Sequence, residues 1–531
     1  MAETGENWFL IIVTIVVTCL CLLSNIYLLA HYQHPDDKLD GWGSKVIVVL
    51  ALTSAALTVL MFPLDVGNRQ ACDDSLEISA CNFSMPMREL WYFMWCFIAI
   101  LAFVVIPFAL FFYESDTAAS FYSRCLSALF YETGLLVILG LCILLPYGIV
   151  GFMEFDVQSV TSGLVSLDRA LTHSNSSGDA CIFPTVDDTD PAASAAAGQF
   201  GGDLCDGLTG DTVSAKWKMR ATFPVFLVGV ASIIGWILFS IFGAVGVVTL
   251  PWDWVRGFLN RPRKVITKSD YIHRCRHIAQ RSRDVQDAAK RLKDQERAGG
   301  RGRKWRREVQ RLGAQLLEIE EEEQWLLEAY PQGEDPAAKW TIIVVFHWAR
   351  LVGGCVGALW SVFWLLHIIL YVLVKPAAHP FLNDLFTGLD DAFPLFGTAA
   401  FGFFCLYMVM VTMHGMFKMG LWIGFMTIHP MRAHNTFMGS FLFNCVLVLL
   451  TVVAITQFCA RAFAVYAEGT EVHTMFETDV KHLIGFKPLY DGDVFMYVFV
   501  VVVFLSLCYQ SCTGCRQKPQ KKARINLNDR V

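Results

Sequence analysis

The chain has 531 residues, of which 55% are hydrophobic, 13% aromatic and only 17% charged, and its mean hydropathy is +0.47. These values exclude an ordinary soluble multidomain protein of that length. The formal net charge of -6 says little about partners, because the charged residues are gathered in a few segments and the rest is nearly uncharged.

Crossing a hydrocarbon core of about 30 Å takes about 20 helical residues. Nine apolar runs meet that length: 8–30, 46–66, 91–112, 126–152, 223–250, 342–374, 395–425, 441–465 and 494–508. Each is continuously apolar, whereas a barrel strand would alternate. The expected fold class is all-α: a polytopic membrane protein of about nine transmembrane helices. The first run follows Glu3 and Glu6 rather than a basic stretch and is longer than a signal-peptide core, so it reads as a retained helix with a translocated N-terminus.

The first membrane block, 1–250, has two connections, 67–90 and 153–222, on the side of the N-terminus. The first holds Cys72, Cys81 and the sequon at Asn82; the second holds Cys181, Cys205 and the sequon at Asn175. An even number of cysteines beside sequons is the pattern of an oxidising, extracellular or lumenal face. Four cysteines allow three pairings; proximity favours Cys72 with Cys81 and Cys181 with Cys205, and a staple between the two loops stays open. The stretch 153–222 is rich in Ser, Asp, Gly and Ala and reads as a solvated excursion without a core. Lys and Arg gather instead in 251–340 and in the basic tail 511–531, which places both on the cytoplasmic side.

Within 251–340, Tyr271, Cys275, Ile278, Ser282, Val285, Ala289 and Leu292 follow a heptad spacing. After a glycine-containing turn it resumes as Trp305, Val309, Leu312, Leu316, Ile319, Glu323 and Leu326. Two seams of matched length imply a cytoplasmic antiparallel coiled-coil hairpin, each arm roughly 40 Å long. Its second arm begins basic and ends acidic, and nothing resembling a nucleic-acid motif accompanies the basic cluster, so it reads as a solvated face or a protein-docking surface.

The second membrane block, 341–510, and the first together contain few ionisable residues, which are expensive in a bilayer. Asp65 and Arg461 fall near the outer ends of their spans, Glu132 and Arg350 near inner ends, and His367 and His414 deeper. Asp65 reads as an interfacial ion-pair or hydrogen-bond partner; the histidines read as interhelical hydrogen-bond donors or as proton carriers. Gly353 and Gly357 form a GxxxG spacing suited to close helix packing. Cys508, Cys512 and Cys515 precede the basic tail and are candidates for palmitoylation or plain unmodified thiols. No nucleophile elbow, HExxH, P-loop or dinucleotide loop is present, so neither an enzyme, a cofactor nor a metal site is expected.

Several words of the sequence are specific: HPDD at 34–37, FPLDVGNRQAC at 62–72, IPFALFFYESD at 106–116, RATFP at 220–224, GRKWRR at 302–307, EAYPQGE at 328–334, TIHPM at 427–431 and GSFLFN at 439–444. On these the chain resembles the lipocalin-interacting membrane receptor family, also called LMBR-like, and most closely its plant and green-algal branch. The Ala/Gly-rich insertion around 191–202 departs from the family pattern. The resemblance implies nine spans and a long cytoplasmic loop; animal relatives are associated with lipocalin uptake and with cobalamin leaving the lysosome beside an ABC transporter. The expected function is a multipass receptor or transport-accessory scaffold, in the plasma membrane or an endomembrane such as the lysosome or vacuole. Its partners would be the lipid bilayer, a cytoplasmic protein on the hairpin, an extracytoplasmic protein or small hydrophobic ligand, and a second copy of itself, with no nucleic acid. The alternative is a solute transporter or channel with a cavity among Glu132, Arg350, His367 and His414.

Overall fold

The computed structural model describes residues 8–34, 37, 41–73, 85–115, 120–160, 170–174, 180–184, 212–297, 302–332, 335–393, 395–419, 421–423, 426–428, 431 and 436–516. Among them, nine helices are long and apolar enough to cross a membrane. They are α1 (Trp8–Tyr32), α2 (Trp42–Asp73), α3 (Met87–Ile100) running on into α4 (Ile106–Glu114), α5 (Phe121–Val150), α6 (Phe223–Leu259), α9 (Pro336–His367), α11 (Phe396–Lys418), α12 (Met438–Ala462) and α15 (Val494–Arg516). The third span is continuous through a π-helical turn, Leu101–Val105. Pro107, in the first turn of α4, offers no N–H, and the ladder shifts register just before it.

Helix α12 is enclosed along its length, from Phe441 through Phe458 to Ala462. By contrast α5 buries only Ala128 and Glu132 and presents Phe130, Val137, Ile138, Leu145 and Ile149 outward. Outward apolar faces on α1, α5, α9 and α15 suit a hydrocarbon surround and would be anomalous in water.

Helices in lipid gain little from hydrophobic exclusion, since lipid tails are as apolar as leucine; they associate by close packing and polar contacts. Helix α6 is built for this. A Cβ at Gly246 would fall on the Val411 carbonyl of α11, and one at Gly415 on the Phe242 carbonyl of α6. Gly235 meets the Leu450 carbonyl of α12 in the same way. On its other side α6 takes α9, where a Cβ at Gly353 would press into the Trp254 ring at 2.6 Å, while one at Gly357 would sit 3.4 Å from Tyr407. Around this axis Trp236, Phe239, Trp364, Phe458 and Phe499 interlock, with Trp364 and Phe458 centroids 5.0 Å apart and Phe239 stacked on Phe499 at 5.0 Å. The Trp236 indole N–H donates to Gln457 Oε1 at 2.8 Å, which gives the buried indole nitrogen and that oxygen a partner.

The all-α expectation needs one amendment. Strands β1 (Phe152–Val160) and β4 (Thr212–Arg220) pair antiparallel, with Phe152 opposite Arg220 and Val160 opposite Thr212. The ends of the long polar excursion are therefore a ribbon rather than coil. Lys216 and Lys218 face Glu154 across it at 2.6 and 3.5 Å, and Lys216 holds that carboxyl below its usual range. Among the described residues there are two shorter pairs, β2 (Ala170–Ser174) with β3 (Ala180–Pro184) and β5 (Leu421–Ile423) with β6 (Met426–Ile428).

Between α6 and α9 lie α7 (Lys268–Arg297) and α8 (Arg303–Ala329). They run antiparallel: the Tyr271 and Tyr330 rings stack at 4.6 Å at one end, and the Trp305 indole donates to the Leu292 carbonyl at 3.1 Å at the other. Midway, Arg281 bridges to Glu322 at 2.7 Å and Glu318 at 3.3 Å. The covered positions on α7 are Tyr271, Cys275, Ile278, Arg281, Val285, Ala288 and Leu292. Ser282 and Ala289, placed on the seam by strict heptad spacing, are exposed instead, and Arg281 and Ala288, one residue earlier, are covered in their place. On α8, Leu312, Ile319 and Leu326 are covered, while Val309 and Leu316 stand 39% and 37% exposed.

Replacing Gly246 by Leu should cost about 1–3 kcal/mol or more by overpacking against a backbone that has no side chain to move. The check is the melting temperature of the detergent-purified chain, with Gly134→Leu, where a Cβ meets open space, as a control expected to stay near wild type.

Candidate functional site

The ion pairs of the spans collect at the two ends of the bundle. At one end, Asp37 Oδ1 accepts the Tyr113 hydroxyl at 3.0 Å, and Asp37 Oδ2 accepts the Met438 N–H, which opens α12, at 3.0 Å. A carboxylate at a helix N-terminus takes an otherwise orphaned N–H and the favourable end of the helix dipole. On the same side Asp253 of α6 takes His414 at 3.0 Å and Lys418 at 2.6 Å, both from α11. Arg350 lies over the Phe346 ring at 4.6 Å.

The opposite end repeats the carboxylate motif. Asp65, 2% exposed, accepts the Trp91 indole at 2.9 Å and the Val472 N–H at 3.0 Å, in the first turn of α13 (Glu471–Thr474). Helix α13 passes directly into a π-helical turn, Met475–Val480, and a second π-helical turn, Ile368–Leu373, ends the α9 span. His367, fully buried, lies 2.9 Å by its Nε2 from the Ala462 carbonyl, and its ring stacks between Tyr371 and Phe463. Nε2 therefore donates to that carbonyl, and Asn383, from α10 (Phe381–Ala392), lies beside it and accepts the Tyr466 N–H at 3.1 Å.

Beside it lies the densest charge network of this end. Arg461, at the C-terminus of α12, donates from Nε and Nη2 to Asp493 Oδ1 at 3.2 and 3.1 Å, and from Nη1 to Glu477 Oε2 at 3.3 Å. Lys375 Nζ stands 2.9 Å from Asp493 Oδ2, and Lys481 3.6 Å from Glu477. Asp493 is 2% exposed and holds a left-handed backbone, φ +47°, just ahead of α15. A non-glycine residue there is uncommon and marks a position that its surroundings over-determine. π-Helical turns are rare and frequent at functional sites, and Tyr371 and Glu477 each sit in one. Nearby His473 is held below its ordinary value by burial, against the pull of Glu477 and Glu468, while burial pushes Asp479 up.

The remaining sequence candidates lie elsewhere. Glu132, on α5, is 3% exposed, and neither carboxylate oxygen has a hydrogen-bond partner among the described residues. Glu132, Arg350, His367 and His414 have separate surroundings, and no described hydrogen bond or ion pair joins any two of them. Cys181 lies in β3 and Cys72 in the last turn of α2; Cys81, Cys205, Asn82 and Asn175 lie outside the described residues, so the pairing question stays as the sequence left it. Cys508 and Cys512 are exposed on α15, and Cys515 lies on the same helix. Sequence reasoning missed Asp37, Lys375, Glu477 and Asp493, although Asp37 stood inside a family word and Asp493 inside an Asp-Gly-Asp turn.

The LMBR1-like membrane protein family model matches residues 10–299 and 296–512. The chain belongs to this family. A LIMR family protein of Arabidopsis thaliana is 40% identical over 513 residues, covering 96% of this chain and 97% of the relative. One of Oryza sativa subsp. japonica has the same identity over the same length, and one of Dictyostelium discoideum is 31% identical over 519 residues, 94% of this chain and 97% of the relative. No solved structure matches. For this LIMR family chain, the two aspartates caught at helix N-termini fall in the HPDD and FPLDV words that first carried the resemblance.

Arg461→Ala should destabilise the chain by about 3 kcal/mol, the low end for a buried charge that loses its partner, because Arg461 is itself 31% exposed. Adding Asp493→Asn should restore part of that loss, since the stranded charge is gone; a double-mutant cycle on detergent-purified protein reads the coupling. A second test uses pH. The depressed value of His473 means that its share of stability is complete above its ordinary 6.5 and is lost as pH falls from there through its folded-state value. His473→Gln should therefore flatten the fall in melting temperature between roughly pH 7 and 5.

Proposed function

We propose that this LIMR family chain is a multipass receptor or transport-accessory scaffold that couples its outer loops to a cytoplasmic coiled-coil arm. In this reading the Asp493 end of the bundle faces outside or into a lumen, with the N-terminus, and the α7–α8 arm and the basic tail face the cytoplasm. Excess Lys and Arg in 251–340 and 511–531, against sequons at Asn82 and Asn175, supports that orientation.

The observation that carries the reading is the arm itself. It meets the bundle at its base, where the Ile266 N–H donates to the Ala329 carbonyl at 3.1 Å and His347 lies 3.2 Å from Glu328. Two antiparallel helices of 30 and 27 residues then offer charged faces with Val309, Leu316 and Leu327 exposed among them. Exposed apolar side chains framed by charge are the usual makings of a protein-docking surface. At the bundle ends His367 pairs with the Ala462 carbonyl, His414 with Asp253 and Arg461 with Asp493, and these pairings support a packed scaffold over a solute path through the four residues named from sequence.

The test compares full-length protein with a chain lacking residues 269–330, and adds a photo-crosslinker at Leu316. A single protein crosslinked at Leu316, and lost from the shortened chain while its membrane insertion stays normal, is the expected result. An unchanged set of co-purified proteins after the deletion would overturn the reading.

A further inference from the structure

At the Asp493 end a cavity of about 220 Å3 is lined by Tyr371, Val374, Lys375, Arg461 and Ala464, among others. Drug-sized ligands need pockets of about 300 Å3 or more, so this volume suits a headgroup-sized ligand. Its polar wall is cationic. Arg461 uses three of its five N–H groups on Asp493 and Glu477, and Lys375 contacts Asp493 and, at 3.4 Å, the Asp491 carbonyl. Donors remain on both side chains, and Arg461 is 31% and Lys375 62% exposed. The charged side chains that line the cavity are Lys375 and Arg461, while their partners Asp493 and Glu477 are not among its lining residues. Asp493, buried and gripped by both cations, fixes the distance between them as a spacer would.

The other wall is apolar and continuous with the outside of the bundle. Val374 at the cavity rim is 41% exposed, and Val494, Tyr497 and Val498 of α15 carry the same outward surface onward. The Tyr497 hydroxyl donates to the Leu373 carbonyl at 3.4 Å, so this apolar surface and the cavity rim belong to one packed unit. A pocket with cationic donors at its base and a hydrocarbon-facing rim recognises an amphipathic anion. A free phosphate would use only the first of these features.

We propose that this cavity is a binding site for the monoanionic phosphodiester headgroup of a membrane lipid. The phosphate oxygens accept from Lys375 and Arg461, the Tyr371 hydroxyl contributes a neutral donor, and the acyl chains run along α15. Arginine and lysine between span ends are the established means of holding lipid phosphates. The assignment is independent of any role for the α7–α8 arm.

The experiment uses the full chain in nanodiscs of phosphatidylcholine with and without phosphatidylglycerol, followed by intact-protein mass spectrometry of retained lipid. Wild type should retain phosphatidylglycerol over phosphatidylcholine, and Lys375→Gln, at an exposed position that leaves the Arg461–Asp493 pair in place, should cut that preference about fivefold, the worth of one lysine–phosphate contact. Tyr371→Phe should lower it further without loss of fold. Equal retention of the two lipids by wild type, or an unchanged preference in Lys375→Gln, would overturn the site. Displacement of phosphatidylglycerol by glycerol phosphate at equal concentration would overturn the lipid assignment in favour of a soluble anion.

Discussion

Backbone contact along α6 is the constraint on which the rest of this structure depends. In a bilayer, apolar side chains gain almost nothing by leaving lipid for protein, so a helix needs either polar bonds or an approach close enough for dispersion to add up over many atoms. Gly235 and Gly246 of α6 and Gly415 of α11 remove the side-chain layer at three points and let α6 touch the carbonyls of α11 and α12 or be touched by them. With α6 so placed, Trp236 reaches Gln457, and the rings of Phe239, Trp364, Phe458 and Phe499 close around one another.

The packed middle explains why charge appears at the ends. A bundle centre filled by aromatic rings has no room for solvated ions, and a carboxylate survives near it only where backbone N–H groups or cations meet it. Asp37 and Asp65 solve this identically, each pairing a helix N-terminus with an aromatic donor, Tyr113 or Trp91. Asp493 solves it with Arg461 and Lys375, and both cations also line a cavity rather than forming a closed pair. The difference between the two solutions separates structural carboxylates from the one that organises a candidate ligand site.

The spans were legible in the sequence because each is a continuous apolar run, and no competing structure satisfies backbone groups in lipid. The helices α7 and α8 were legible as two amphipathic runs, but their contact line is displaced by one residue at Arg281 and Ala288, where a charged side chain reaching Glu318 and Glu322 serves the contact better than Ser282 would. The β1–β4 ribbon was hidden because its two strands lie at opposite ends of a polar stretch without a consistent two-residue period. The charge network was hidden for a similar reason: Arg461 and Asp493 are 32 residues apart, and nothing local in either segment announces the other. The GxxxG pair at Gly353 and Gly357 was visible by spacing, whereas Gly235, Gly246 and Gly415 follow no such pattern and emerge only from which carbonyl faces each.

The most direct test of this account is a cryo-electron microscopy reconstruction of the full chain in a lipid nanodisc, measuring the separation of the α6 and α11 axes beside Gly246. Side-chain-mediated helix packing keeps axes about 8–10 Å apart. Backbone contact at Gly246 and Gly415 predicts a separation below the lower of these values; axes spaced at or beyond it, with side chains or water between the two helices, would contradict the account.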